Sequence, residues 1–273
     1  MGDRLDALVA AHRRPVPGGA DDRWSEADAW LIAYPDQFGV GEGRGGLRAV
    51  ADVMDALTPS LNGVHVLPFH PSSSDGGFSV EDYAAVAPEA GDWDDVAHLA
   101  ARHRLVADAV INHVSARGVW FRQHLEGVPG RTGFFRTVAP GTDLSRVVRP
   151  RPGPPITRFA RPDGTEADYW TTFSAAQVDL DYRDPEVLLA VFEAVFRFLD
   201  AGAAAVRLDA VAFLWKDPAT PSIHLPETHA VVELLRDCVD EIDPAVLIVT
   251  ETNVPHRDNV AYLGTSTRPE AHG

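Results

Sequence analysis

Five short runs of apolar residues punctuate the chain: AWLIAYP (29–35), GVHVLPF (63–69), RLVADAVI (104–111), AAAVRLDA (203–210) and AVLIVTE (245–251). They are continuous rather than alternating, the pattern of strands covered on both faces. Between them lie stretches with helical spacing, roughly 45–58, 92–102, 185–201 and 226–240, and Pro226 stands where a first helical residue would. Such alternation implies an α/β fold of parallel strands joined by right-handed crossovers.

One interval breaks this rhythm. Residues 114–184 carry no clear strand–helix unit and are rich in Pro, Gly and Arg, as in VVRPRPGPPITRFARPDG. A stretch of that size between the third and fourth runs reads as a subdomain built on a barrel loop. Residues 1–28 read as a helix followed by a Pro/Gly-rich connector. The expected organisation is therefore 1–28 as helix and connector, 29–113 as the first part of a catalytic barrel, 114–184 as an inserted subdomain, and 185–273 as the second part of the barrel.

Charge narrows the partners. A net charge of −16 over 273 residues disfavours nucleic acid or an anionic membrane surface, both of which reward a basic face. No apolar run approaches a membrane span, and the acidic start MGDRLDALVAAHRRP lacks the apolar core of a secretory signal. With Cys238 as the one cysteine, no intrachain disulfide can form. The expectation is a soluble, cytoplasmic protein.

The fourth run is the unusual one, because Arg207 and Asp209 interrupt it two positions apart and so share one face of a strand. A structural ion pair would explain them. A catalytic pair would need a second carboxylate, and the other runs supply polar ends: Asp108, Asn112 and His113 in DAVINHVS, and Glu251 and Asn253 in IVTETNVPH. Each alone reads as an ordinary strand terminus. Polar clusters at the C-terminal ends of successive parallel strands are the arrangement of TIM-barrel active sites.

In the order DAVINH, VRLDAVAF, TETN, these segments resemble the conserved regions of glycoside hydrolase family 13, the alpha-amylase superfamily, and the likeness extends over roughly residues 29–264. VLPFHPSSSDGGFSVEDY, VRPRPGPP and IHLPETH are most similar to the sucrose phosphorylase subfamily, and FLWK and TETNVPH to its glucosylglycerate phosphorylases. The resemblance implies a (β/α)8 barrel of the alpha-amylase type, with a subdomain after the third strand. It also implies retaining glucosyl transfer to phosphate. Asp209 matches the nucleophile, Glu251 the general acid/base and Arg207 the residue orienting the nucleophile. Asp75 and His113 match groups that hold the glucosyl ring, and Phe78 and Asn112 are expected beside them.

Retaining transfer needs one ionised and one protonated carboxyl group about 5–5.5 Å apart. Arg207 is expected to hold Asp209 ionised, leaving Glu251 as the proton donor. Inorganic phosphate entering a site with two carboxyl groups needs cationic help, and SRVVRPRPG offers Arg146, Arg149 and Arg151. Arg149 and Arg151 are the candidate phosphate contacts, with a solvated loop as the bland alternative. His224 and His229 fall beyond the fourth run and could face the acceptor. Trp120 and Phe121 read either as an apolar wall for a sugar or as core. No cofactor is expected. Some relatives place calcium near the counterpart of Asn112, where Asp179 and Asp181 could add oxygens, but no dense Asp/Asn loop is present and no metal is expected.

Five runs are visible where a closed barrel needs eight strands. The family's third carboxylate, in a later His-Asp pair, has no counterpart. The chain is thus expected to be the N-terminal portion of such a phosphorylase, its fifth strand and first strand exposing edges through which copies could associate. An α-glucoside and inorganic phosphate are the expected small-molecule partners. A retaining hydrolase or transglycosidase would keep the same carboxylates, and a non-enzymatic remnant stays open as well.

Overall fold

The computed structural model describes residues 1–14, 25–39, 45–58, 60–265 and 268–271. Most of the expected N-terminal connector, 15–24, lies outside the described residues. The chain begins with α1 (Gly2–His12), which lies against two later helices, α5 (Pro185–Asp200) and α6 (Pro226–Ile242). His12 Nδ1 sits 2.7 Å from Asp200 at the end of α5.

The five apolar runs form one parallel sheet. Its strands are β1 (Trp30–Ala33), β2 (Gly63–Val66) and β3 (Arg104–Val110), followed much later in the chain by two more. Helices α2 (Gly46–Leu57) and α3 (Trp93–Arg102) make the first two crossovers. Gly46 opens α2 at φ +68°, where a Cβ would stand 2.3 Å from the Ala90 carbonyl oxygen, so this tight entry requires glycine. Asp92 and Asp95 cap α3 reciprocally, each side chain accepting from the other's backbone N–H.

After β3 the chain leaves the sheet. The strands β4 (His113–Ser115), β5 (Thr137–Val138), β6 (Ile156–Ala160), β7 (Glu166–Trp170) and β8 (Gln177–Asp179), with helix α4 (Val119–Leu125), fill the interval. β4 pairs antiparallel with β8, and β5, β7 and β6 form a small antiparallel sheet. The interval therefore has its own strands, which its loop-like composition concealed. Trp120 and Phe121 serve as core here. Phe121 packs edge-on against Phe135, Phe159 and Tyr169, and the Trp120 ring lies tilted 4.8 Å from Tyr83.

Helix α5 (Pro185–Asp200) starts with Asp184 as its cap and Pro185 in its first turn, and leads into β9 (Ala205–Asp209). Helix α6 (Pro226–Ile242) then leads into β10 (Leu247–Thr250). The sheet order is β1-β2-β3-β9-β10, every pairing parallel. Each strand is shorter than its apolar run because the flanking residues already turn into loops.

Helices cover the outer face of the sheet, but the inner face is not fully covered. Trp30, Ile32, His65, Val106, Ala205, Arg207, Leu247 and Val249 line an open trough of about 300 Å³. Ile32 is 64% exposed, since five strands curve only part of the way round a barrel.

Candidate active site

The C-terminal ends of β3, β9 and β10 bring three carboxylates together. In register, Asp108 pairs with Arg207 and Val110 with Asp209 across β3 and β9. Thr250 pairs with Leu208 across β9 and β10, so Glu251 follows beside Asp209. Directly after Asp209 the backbone turns left-handed at Ala210, φ +52°, a conformation that costs a non-glycine residue about 1–2 kcal/mol. That turn aims the Ala210 N–H at Glu251, whose Oε2 accepts it at 3.1 Å. Asn253 Nδ2 donates to the other oxygen of Glu251.

Arg207 Nη1 donates to Asp108 at 2.5 Å and to Asp209 at 3.2 Å. The guanidinium is thus shared, and the fully buried Asp108 has the closer hold. Arg207 favours the ionised Asp209, in the expected direction, but does not act alone. Burial pushes the Asp209 carboxyl up to about 7, the negative charge of Asp108 adds to that, and Arg207 only partly opposes it.

Asp75, Phe78 and His113 meet on one side of these carboxylates. His113 is buried, with Nε2 2.9 Å from the Phe78 carbonyl oxygen. Burial lowers its pKa, which favours the neutral imidazole. Arg207 lies 5.9 Å over the Phe78 ring. Asp75, at φ +60°, accepts from Gln177 Nε2 at 3.0 Å, and the same amide nitrogen lies 3.1 Å from His113 Nε2. Gln177 is a link that sequence reasoning missed. Only its adjacency to VDLDY hinted at it.

Asn112 does not reach this side. It is wholly buried, donating to Asp179 at 3.2 Å and accepting from Lys216 Nζ at 2.7 Å. Asp179 also accepts from the N–H (2.9 Å) and hydroxyl (2.6 Å) of Thr172, and its Oδ2 stands 3.2 Å from Lys216 Nζ. The oxygens weighed as calcium ligands at Asn112 and Asp179 thus surround an ammonium ion. Lys216 was the second residue missed, and its signal was a lone lysine closing the apolar run AVAFLWK. Asn112 therefore steadies His113, which it approaches at 3.2 Å, rather than contacting a sugar.

A cavity of about 370 Å³ opens beyond Glu251, lined among others by Arg149, Phe173, Phe213, His224, Asn253 and Asp258. Arg149 lines it, but its guanidinium donates to the carbonyls of Thr172 (2.9 Å), Gly153 (2.9 Å), Pro154 and Phe173 (3.3 Å). It staples the loop and contributes charge to the wall. Arg146 and Arg151 are exposed, and neither lines the cavity. His224, at φ +54°, faces it with Nδ1 2.9 Å from the Tyr262 hydroxyl. His229 instead stacks on Tyr262 at 4.4 Å and pairs with Glu270 at 2.7 Å.

Two carboxyl groups at the ends of adjacent parallel strands can share nucleophilic and proton-transfer work. The alpha-amylase catalytic-domain profile matches residues 32–272. The chain belongs to the alpha-amylase family. Among its relatives in this family, the glucosylglycerate phosphorylase of Spirochaeta thermophila is 49% identical over 277 residues, covering 99% of this chain and 46% of the relative. That of Escherichia coli is 47% identical over 269 residues, covering 98% and 48%. The crystal structure of sucrose 6F-phosphate phosphorylase from Thermoanaerobacter thermosaccharolyticum superimposes with a TM-score of 0.78 at 27% identity, over 89% of this chain and 51% of that one. This alpha-amylase-family chain spans about half the length of the curated relatives it matches, and its five-stranded sheet is an incomplete barrel of their type.

Proposed function

We propose that this chain carries the catalytic carboxylates of a retaining phosphorylase that transfers a glucosyl group from an α-glucoside of the glucosylglycerate kind to inorganic phosphate. The observation that carries the reading is the placement of Asp209 and Glu251 side by side at strand ends, with the Ala210 N–H fixing Glu251. Relatives of that activity at nearly half identity along almost the whole chain support it.

In this reading, ionised Asp209 attacks the anomeric carbon as the glycosidic C–O bond breaks. Glu251 delivers its proton to the departing oxygen. Asp75 and His113 hold ring hydroxyls, with Gln177 bridging them. The acceptor leaves into the cavity lined by Phe213 and His224. A phosphate oxygen then attacks the glucosyl-enzyme, the bond to Asp209 breaks, and the phosphate proton passes to Glu251, giving α-glucose 1-phosphate. Arg149 supplies positive charge at the wall without committing a free hydrogen-bond donor. No step calls on a metal or an organic cofactor.

Among the described residues no helix is long and apolar enough to cross a membrane. The single, buried cysteine fits a cytoplasmic setting. The test is phosphate-dependent release of glucose 1-phosphate from glucosylglycerate and from sucrose, by the chain alone and by the chain fused to the remaining half of the Spirochaeta relative. Phosphate-dependent product from the fusion supports the reading. Glucose release indifferent to phosphate would make the site a hydrolase instead.

A further inference from the structure

His65 stands on β2, where no role in the reaction reaches it, yet it is wired to the nucleophile. Its Nε2 lies 2.8 Å from Asp108 Oδ2, while the other Asp108 oxygen accepts from Arg207 at 2.5 Å. Arg207 in turn donates to Asp209 at 3.2 Å. The Asp108 side chain is 0% exposed, so nothing but protein screens its charge. His65 and Arg207 both line the open trough inside the sheet, which gives the imidazole a route to solvent protons.

We propose that His65 is a positioning residue that sets the charge state of Asp209 through Asp108 and Arg207. The physics is a competition for one guanidinium. With His65 neutral, Asp108 has only Arg207 as a cationic partner, and its negative charge bears fully on Asp209. With His65 protonated, Asp108 lies between two cations. Its field at Asp209 is offset, Arg207 is freer to favour the Asp209 carboxylate, and the nucleophile ionises more readily. The groups facing this network are Asp108 from β3, Arg207 and Asp209 from β9, Glu251 after β10, and Tyr83, whose hydroxyl donates to the Val110 carbonyl. Among them His65 is the imidazole, the one group that adds a positive charge to the network by taking up a proton. Burial and the charge of Asp108 raise the Asp209 carboxyl, so its ionisation is the one that a change at Asp108 shifts.

The catalytic meaning of this link rests on Asp209 acting as nucleophile, but the link itself is measured without substrate. NMR titration of the labelled chain follows the His65 imidazole and the Asp209 carboxyl carbon separately. In His65→Gln, which keeps an N–H donor toward Asp108 but carries no charge, the Asp209 midpoint should move up by about half a pH unit. By reciprocity, Asp209→Asn should lower the His65 midpoint by the same amount. A purely structural His65 would leave the Asp209 midpoint in place in the Gln variant, and that result overturns the inference. Should His65→Gln not fold, an unmoved His65 midpoint in Asp209→Asn overturns it equally. Failure of the phosphorylase reading would show instead as missing glucose 1-phosphate, with the coupled midpoints intact.

Discussion

Asp108 and Arg207 stand in register on neighbouring strands, and the guanidinium lies closer to Asp108 (2.5 Å) than to Asp209 (3.2 Å). The nucleophile candidate thus holds the weaker share of the Arg207 guanidinium. That asymmetry explains why burial can lift its carboxyl toward neutrality despite a permanent cation two residues away.

A stability signature follows. An Asp whose folded pKa is raised, here from near 4 to about 7, binds its proton in the folded state where the unfolded state has released it. Stability therefore falls as pH rises from about 4 to about 7 and levels off above that. Asp209→Asn removes this loss. The variant should melt above wild type at pH 8, by roughly 4 kcal/mol of unfolding free energy at most, and match it near pH 4. Thermal melts across pH 4–8 check this, and a gap that stays constant with pH would contradict it.

The leaving-group prediction isolates Glu251. In the fusion with the remaining half of a relative, Glu251→Gln should slow turnover of glucosylglycerate by about 10²–10⁴-fold. An activated donor such as α-glucosyl fluoride, whose leaving group needs little protonation, should be turned over at nearly the wild-type rate to form the glucosyl-enzyme. Equal losses on both donors would remove Glu251 from the proton-transfer role.

Much of this arrangement was legible in the residues. Five continuous apolar runs between helical patterns announced the parallel sheet, and Arg207 and Asp209 inside the fourth run announced its chemistry. What stayed hidden depended on distance in space. Arg149 looked free for an anion, because sequence cannot show that the nearby Gly153 and Pro154 carbonyls and the distant Thr172 and Phe173 carbonyls converge on its guanidinium. Asn112 looked like a sugar contact by its neighbour His113, yet its side chain turns to Lys216, 104 positions away. The rise of the Asp209 carboxyl was hidden for the same reason: its chief cause is burial, and the second is Asp108 on the adjacent strand, neither of which its sequence neighbour Arg207 reveals.

Lys216 supplies a prediction about cohesion. Its ammonium is 1% exposed and is held by Asp179, Asn112 and the Leu214 carbonyl, joining the loop after β9 to β8 and the end of β3. Lys216→Met strands the fully buried Asp179 carboxylate without its cation, which should destabilise the fold by about 3–5 kcal/mol. Adding Asp179→Asn to Lys216→Met should recover part of that loss, since the uncompensated charge is gone. Urea melts of the single and double variants measure the difference. A double variant less stable than Lys216→Met would show that the pair's charge is not what matters.

The open inner face sets the last expectation, which concerns association. β1 and β10 are the two edges of the sheet, and parallel strands are rarely left with one apolar face in water. The trough between them is lined by Trp30, Ile32, Val106, Leu247 and Val249, so the polar side chains in it, His65 and Arg207, are outnumbered. Ile32, at 64% exposure on the edge strand, is the side chain with most to gain from cover. Burying it in a neighbouring copy would contribute roughly 1.5–3 kcal/mol for each copy. The chain alone should therefore run as oligomer or aggregate in size-exclusion chromatography with light scattering. Ile32→Lys should shift it toward monomer, because a lysine at the rim both repels a second copy and blunts the edge. Since Ile32 contributes little to the folded core, the thermal melt of the variant should stay close to that of the parent. A wild-type chain that is monomeric across concentration, or an Ile32→Lys variant that associates as strongly as its parent, would show that the trough is not what draws copies together.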